Sequence, residues 1–348
     1  MKKIAISVLC VGLLLGVNPI FAKSEIGDVD VNTQMMDSFI NRARDIYSEE
    51  IVSNDSKLLS VMRDDSKSFQ YQFVDTKKNI IYAYENDNGE ERVGYLLYED
   101  EDNLNDVQTF VDKDLQDGIG GRQYIKGENI QSIEGDIELP GENEIYLKDY
   151  LGAPAYIYTG FVNDREEDKN NSSIDKIIDM GLQYSERNGG TSYLNKGWKP
   201  VMLFRGTSDW KPAENYDKVQ FKNSFIPGTT VEFKAWPAFA DDFARLKLVG
   251  RARYSEPDGT GEPKSLIAVL EADLDQKVTR PNKAKLLATI AVPKGSKIQP
   301  IGRFKTTFKY LEMNRSTIAE RNYLEPETDK ARVYRNGDRV TISVDSNR

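Results

Sequence analysis

Residues 173–190 read SIDKIIDMGLQYSERNGG. Ile174, Ile177, Ile178 and Leu182 fall on one side of a helix, and Gly189-Gly190 ends it. Three other stretches carry helical signals. In residues 31–53, VNTQMMDSFINRARDIYSEEIVS, the residues Met35, Phe39, Ala43 and Ile46 share a face. Residues 104–118, LNDVQTFVDKDLQDG, close on Gly118, and residues 239–249, FADDFARLKLV, put Phe239, Phe243 and Leu246 on one side. Strand-like runs lie between them, so the expected class is α+β with flanking helices.

The strand signals are β-branched or apolar runs bounded by turns. SFQYQFVDT, NIIYAYEN and RVGYLLYED occupy residues 68–100, with Asn86-Asp87-Asn88-Gly89 as a hairpin turn. After residue 190 the chain is strand-rich to its end, with Asn336-Gly337 as a second hairpin turn. The charged, amide-rich DREEDKNNSS, residues 164–173, is the expected linker. The expected division is a signal peptide over 1–22, an α+β domain over 23–163, the linker, and a second domain over 174–348.

Lys2 and Lys3, the apolar run IAISVLCVGLLLGV and the small Ala22 read as a secretory signal, cleaved rather than kept as a membrane span. Cys10 is the one cysteine and lies inside that segment. The chain contains no histidine. Ser-His-Asp and Cys-His catalysis are therefore excluded, as is a zinc site built on imidazole or thiolate. A formal net charge of −9 over 348 residues disfavours nucleic acid as a partner. Any chemistry falls to carboxylates, Arg, Lys, Tyr, Ser or Thr, and no metal is expected.

Two further stretches carry candidate site residues. In VMLFRGTSDW, residues 201–210, an apolar strand ends on Arg205, with Gly206 and Thr207 behind it. A guanidinium there is a rigid fork for an anion, and the glycine lets a ligand approach the backbone. In residues 322–344, Glu325 and Glu327 flank Pro326 just before a hairpin. Period-2 geometry points both carboxylates the same way.

The order of these pieces resembles the R-S-E class of mono-ADP-ribosyltransferases, the family of the clostridial binary toxins. LFRGT matches the strand-end arginine, PGTTVEFKAW the approach to the Ser-Thr-Ser motif, and LEPET the paired glutamates. VPKGSKI, residues 292–298, is similar to the strand-turn that precedes them. Where the family has Ser-Thr-Ser, this chain has AWPAFAD, with Pro237, Ala238 and Ala240. The resemblance covers residues 175–345 and implies two domains, the C-terminal one a mixed β-sandwich-like fold with flanking helices. It implies that Arg205, Gly206 and Thr207 bind the phosphates of NAD, that Glu327 is the catalytic glutamate, that Glu325 orients an accepting arginine, and that Tyr323 meets a target protein. NAD is then a substrate and a host protein the partner, in a secreted or periplasmic toxin-like enzyme. The alternative is an exported binding protein that keeps the scaffold without catalysis.

Overall fold

The computed structural model describes residues 11–12, 33–52, 67–75, 78, 80–97, 118–148, 153–168, 177–187, 194–205, 210–212, 223–239, 243–254, 262–273, 278–292 and 299–348. Of the expected signal peptide only Val11–Gly12 falls among them. The expected helix over 104–118 lies outside them except for Gly118.

In chain order the elements are β1 (Val11–Gly12), α1 (Thr33–Val52), β2 (Lys67–Asp75), β3 (Ile80–Asp87), β4 (Glu90–Leu97), β5 (Gly118–Lys126), β6 (Ile133–Glu138) and β7 (Tyr146–Leu147). Then come β8 (Ala155–Val162), β9 (Ile177–Arg187), β10 (Leu194–Arg205), β11 (Trp210–Pro212), β12 (Asn223–Phe225), β13 (Thr230–Phe239) and β14 (Phe243–Tyr254). The last are β15 (Pro263–Asp273), β16 (Lys283–Ala291), β17 (Gly302–Met313), β18 (Ser316–Thr317), β19 (Glu327–Asp329), β20 (Ala331–Asn336) and β21 (Arg339–Asp345). Strand dominates, and α1 is the one α-helix among the described residues. The α+β expectation with flanking helices is thus corrected to a β-sandwich whose sheet is nearly closed on itself.

Two of the expected helices are strands. Residues 177–187 form β9, because a second period is present in the same letters. Ile178, Met180, Leu182 and Tyr184 alternate into the core, while Asp179 lies on the other face. Asp179, Gly181, Gln183 and Ser185 take the alternate positions, so a polar/apolar period of two lies beside the helical spacing of Ile174, Ile177, Ile178 and Leu182. Residues 243–254 form β14, held between β13 and β15 by antiparallel pairing. Ladder bonds on both edges outweigh the weak helical preference of FADDFARLKLV.

The first layer runs β4-β3-β2-β15-β14-β13-β6-β17-β21-β20, antiparallel except for the parallel pair β2 and β15. The second runs β19-β5-β16-β8-β9-β10. Two connections join the layers. β12 pairs with β10 on one side and with β14 on the other. At the opposite end β19, on the edge of the second layer, passes into β20, on the edge of the first. Lys330, at φ 47°, makes that corner. The sheet also runs across the expected linker: β8 and β9, which flank residues 164–173, pair with each other from Tyr156 to Val162. Of that segment, Asp164 accepts a hydrogen bond from Lys283 and Asp168 from Arg280.

Alternation fills the space between the layers. β13 sends Val231, Phe233 and Ala235 inward and Glu232, Lys234 and Trp236 outward. Phe233 meets Phe308 edge-on with ring centroids 6.1 Å apart, a pairing that contributes about 1 kcal/mol beyond area burial. Trp198 of β10 is fully buried and lies 6.1 Å from Phe304 of β17, tying one layer to the other.

α1 covers the outer face of the first layer. Phe39, Ile40, Ala43 and Ile46 pack on Phe69, Tyr71, Tyr82 and Val269, as the spacing over 31–53 predicts. Phe39 stacks on Tyr71 at 5.4 Å and on Tyr82 at 5.1 Å. Beneath the helix, the buried Glu271 accepts hydrogen bonds from Tyr71 at 2.6 Å and Arg42 at 2.7 Å. Burial, with Glu271 beside it, pushes the Tyr71 hydroxyl well above the usual tyrosine range. Both hairpins form as expected, with Gly89 at φ 92° and Gly337 at φ 62° in turns that need a left-handed residue. No helix among the described residues is long and apolar enough to cross a membrane.

Candidate functional site

The outer face of the second layer carries charge where a sheet face normally carries apolar side chains or water. Register defines its rows. One row runs Tyr124, Lys285, Gly160, Asp179 across four strands. The next runs Glu327, Arg122, Leu287, Tyr158, Gly181. Arg122, Tyr158, Asp179 and Lys285 are all almost fully buried.

Each charge has a local cause. Lys285 Nζ lies 2.5 Å from Asp179 Oδ1, although β8 runs between their strands. Gly160 of β8 makes this reach possible. A Cβ there would stand 2.7 Å from Asp179 Oδ1 and 3.1 Å from Lys285 Cε. Burial pushes the Lys285 ammonium below the ordinary lysine value, and the nearby Arg122 charge adds to it against the pull of Asp179. Burial likewise drives the Tyr158 hydroxyl well up, with Tyr156 and Asp179 contributing. Arg122 donates from Nη1 to Tyr124 Oη at 2.6 Å. Its Nη2 faces Glu327 Oε2 at 3.4 Å, an ion pair longer than a hydrogen bond to a carboxylate. Glu327 is the solvent side of that pair, 42% exposed against 2% for Arg122.

The predicted residues are distributed over this layer. Arg205 ends β10, where it pairs with β9 on one side and β11 on the other, and Glu327 begins β19, at the far side of the layer. Five strand spacings of about 4.8 Å separate them, about 24 Å across the sheet. The structure therefore does not bring the backbones of Arg205 and Glu327 together. Gly206 and Thr207 lie outside the described residues. Glu325 is exposed, before the start of β19. Tyr323 forms a bridge to Ile125 and lies under the Arg335 guanidinium, 4.5 Å from its ring centroid. Burial raises its hydroxyl to about 12, with Arg335 opposing.

The arginine that Glu327 does meet is Arg122, which sequence reasoning passed over. Its signal was present in GIGGRQYIK, residues 118–126. The glycines of that strand leave Arg122 and Tyr124 as the bulky side chains of its outer face.

A concavity opens on the first layer, beside the C-terminal end of α1. It is a cleft of about 230 Å³. Its floor is the outward face of β13 and β14, with Glu232, Lys234, Trp236, Arg245 and Lys247, and Glu49 and Glu50 stand at its helix side. Three of its cations meet glutamates. Lys234 meets Glu134 at 2.5 Å, Arg245 meets Glu50 at 3.3 Å, and Lys247 also pairs with Glu50. Trp236 and Phe239, both half-buried, meet edge-on with centroids 5.3 Å apart. Alternation places the indole here: Trp236 follows the inward Val231, Phe233 and Ala235 by one residue.

Among solved structures, the chain is similar to the kappa-carrageenase of Pseudoalteromonas carrageenovora, crystallised with an oligotetrasaccharide of kappa-carrageenan. The identity is 8%, the match covers 83% of this chain and 99% of that one, and the TM-score is 0.24. A likeness at that level carries no argument about fold or activity. No curated protein matches the chain. Nothing in these comparisons points to an ADP-ribosyltransferase family. A family model does match, over residues 112–344, from before β5 to the end of β21, and the chain belongs to that family, YrpD, described as a domain of unknown function.

Proposed function

We propose that the protein is an exported binding protein without catalysis, and that its ligand lies in the cleft between α1 and the outer face of β13 and β14. The ligand class is an uncharged, polyhydroxylated ring compound, a saccharide. One observation carries this reading: the half-exposed Trp236 indole lines a cleft in which Lys234, Arg245 and Lys247 each already meet a glutamate. An aromatic wall favours the apolar C–H face of a sugar ring. Paired carboxylates, ammonium groups and guanidinium groups still offer spare lone pairs and N–H groups to hydroxyls. Matched charge gives no attraction to a strongly ionic ligand. The floor consists of two central strands, so the site is pre-formed.

The ADP-ribosyltransferase reading asks Arg205 and Glu327 to face one dinucleotide, and β9, β8, β16 and β5 lie between their strands. Two measurements separate the readings. Titration of the purified full chain with neutral oligosaccharides, followed by Trp fluorescence, gives saturable binding that Trp236→Ala weakens at least about tenfold. Failure of a broad panel of neutral oligosaccharides to bind overturns the saccharide reading. Incubation with labelled NAD and a cell lysate leaves protein unlabelled; label entering protein overturns the non-catalytic reading.

A further inference from the structure

We infer that Arg122 anchors a carboxylate-binding site on the outer face of the second layer, with Glu327 at its mouth. The site is distinct from the cleft, which lies on the other layer.

The Arg122 guanidinium uses only part of its donor set. Nη1 donates to Tyr124. Nε and Nη2 have no hydrogen-bond partner, although Arg122 is 98% buried by its 2% side-chain exposure. A buried guanidinium with idle donors costs free energy unless an acceptor compensates it. The idle pair is informative. Nε–H and Nη2–H point in parallel from one side of the guanidinium plane, and their spacing matches the two oxygens of a planar carboxylate.

The surrounding charges do not fill that role. Asp179 is engaged by Lys285 at 2.5 Å. Glu327 stands at 3.4 Å from Nη2, on a three-residue strand, and is 42% exposed. Its charge is therefore partly screened by water, while Arg122 and Lys285 bring two buried cations into Coulombic range of each other. Of the two anions that face these two buried cations, only Asp179 is buried. Tyr158 is a further polar group without a partner. Its hydroxyl is fully buried on the same row as Arg122, two strands away. The aromatic ring of Tyr124, 5.2 Å from the Arg122 guanidinium carbon, holds the fork in place from one side.

The class of ligand is thus an organic molecule bearing a carboxylate, and Glu327 is the internal carboxylate it displaces. Removing Glu327 should strengthen binding, which a purely structural Arg122–Glu327 ion pair would not do.

The test uses the full chain and sodium acetate as the probe, against sodium chloride at matched ionic strength, with thermal unfolding as the readout. Binding to the folded state raises the midpoint with concentration. The wild type is expected to show an acetate-specific rise. Glu327→Gln should lower the acetate concentration for half the effect by about tenfold, the equivalent of one charge-assisted hydrogen bond. Arg122→Lys keeps the charge but loses the fork, and should abolish the acetate-specific part, leaving the general salting effect. If Arg122→Lys does not fold, the comparison of wild type with Glu327→Gln still decides. Equal acetate and chloride curves for both, or equal acetate responses of the two proteins, overturn the site. A stronger response to inorganic phosphate than to acetate overturns the carboxylate assignment.

Discussion

Lys285 and Asp179 form a buried ion pair across an intervening strand, Nζ to Oδ1 at 2.5 Å, because residue 160 between them has no side chain. A lysine and an aspartate two strands apart on a sheet are ordinarily too far to touch. The glycine lowers the surface between them and lets both side chains lean inward. The layer is thereby locked by a polar contact on the face away from the sandwich core.

Gly160→Ala should be costly. The new Cβ would meet the Ile178 carbonyl as well as both partners of the ion pair. Overpacking of this kind costs about 1–3 kcal/mol. Chemical denaturation of the variant should show a lowered midpoint with an unchanged slope; an unchanged midpoint would show that the face is loosely packed.

Breaking the pair from one side should cost more than removing it. Asp179→Asn leaves Lys285 buried without its counter-charge, an effect of about 3–5 kcal/mol, whereas the double variant Asp179→Leu, Lys285→Met should recover most of that loss. A double-mutant cycle measures the coupling, and additivity of the two single effects would refute it.

Asp87 sets a pH dependence. Burial pushes its carboxyl up, but hydrogen bonds from Lys264 at 2.6 Å and Ser68 at 2.7 Å bring it below the ordinary value of 3.8. Its folded value is lower than its unfolded one, so the stability it confers is present above the unfolded value and lost as pH falls through the folded value. Lys264→Met should therefore move acid unfolding, followed by Tyr and Trp fluorescence, to higher pH. At neutral pH the loss should be under about 1 kcal/mol, because the carboxylate is partly solvated. Coincident acid transitions would refute the assignment.

Phe39→Ala should loosen α1 without unfolding the sandwich. The ring stacks on Tyr71 and Tyr82, and its removal costs about 3–5 kcal/mol. Amide exchange should accelerate in residues 33–52 while β13 to β16 stay protected. Uniform acceleration would show that the helix belongs to the global folding unit.

What could be read in advance follows from range. The helix over Phe39, Ala43 and Ile46 was legible because one of its faces is solvated. The turns at Gly89 and Gly337 were legible because they need a backbone geometry few residues adopt. Residues 177–187 fit two periods at once: Ile174, Ile177, Ile178 and Leu182 share a helix side, while Met180, Leu182 and Tyr184 alternate with Asp179, Gln183 and Ser185, and only pairing to β8 and β10 selects the strand. Among the proposed site residues, Glu327 meets an arginine, but Arg122 of GIGGRQYIK rather than Arg205 of VMLFRGT.

By itself the sequence determined the chemistry closed to this chain: without histidine, no Ser-His-Asp or Cys-His catalysis and no imidazole-built metal site is open to it. It also determined the local turns and the amphipathic helix, which depend on neighbours a few residues apart. Only the tertiary structure decided that two layers close on each other, and that Arg122 meets Glu327 and Lys285 meets Asp179. Those contacts join residues more than 100 positions apart, and strand register, which no local pattern specifies, is what brings them together.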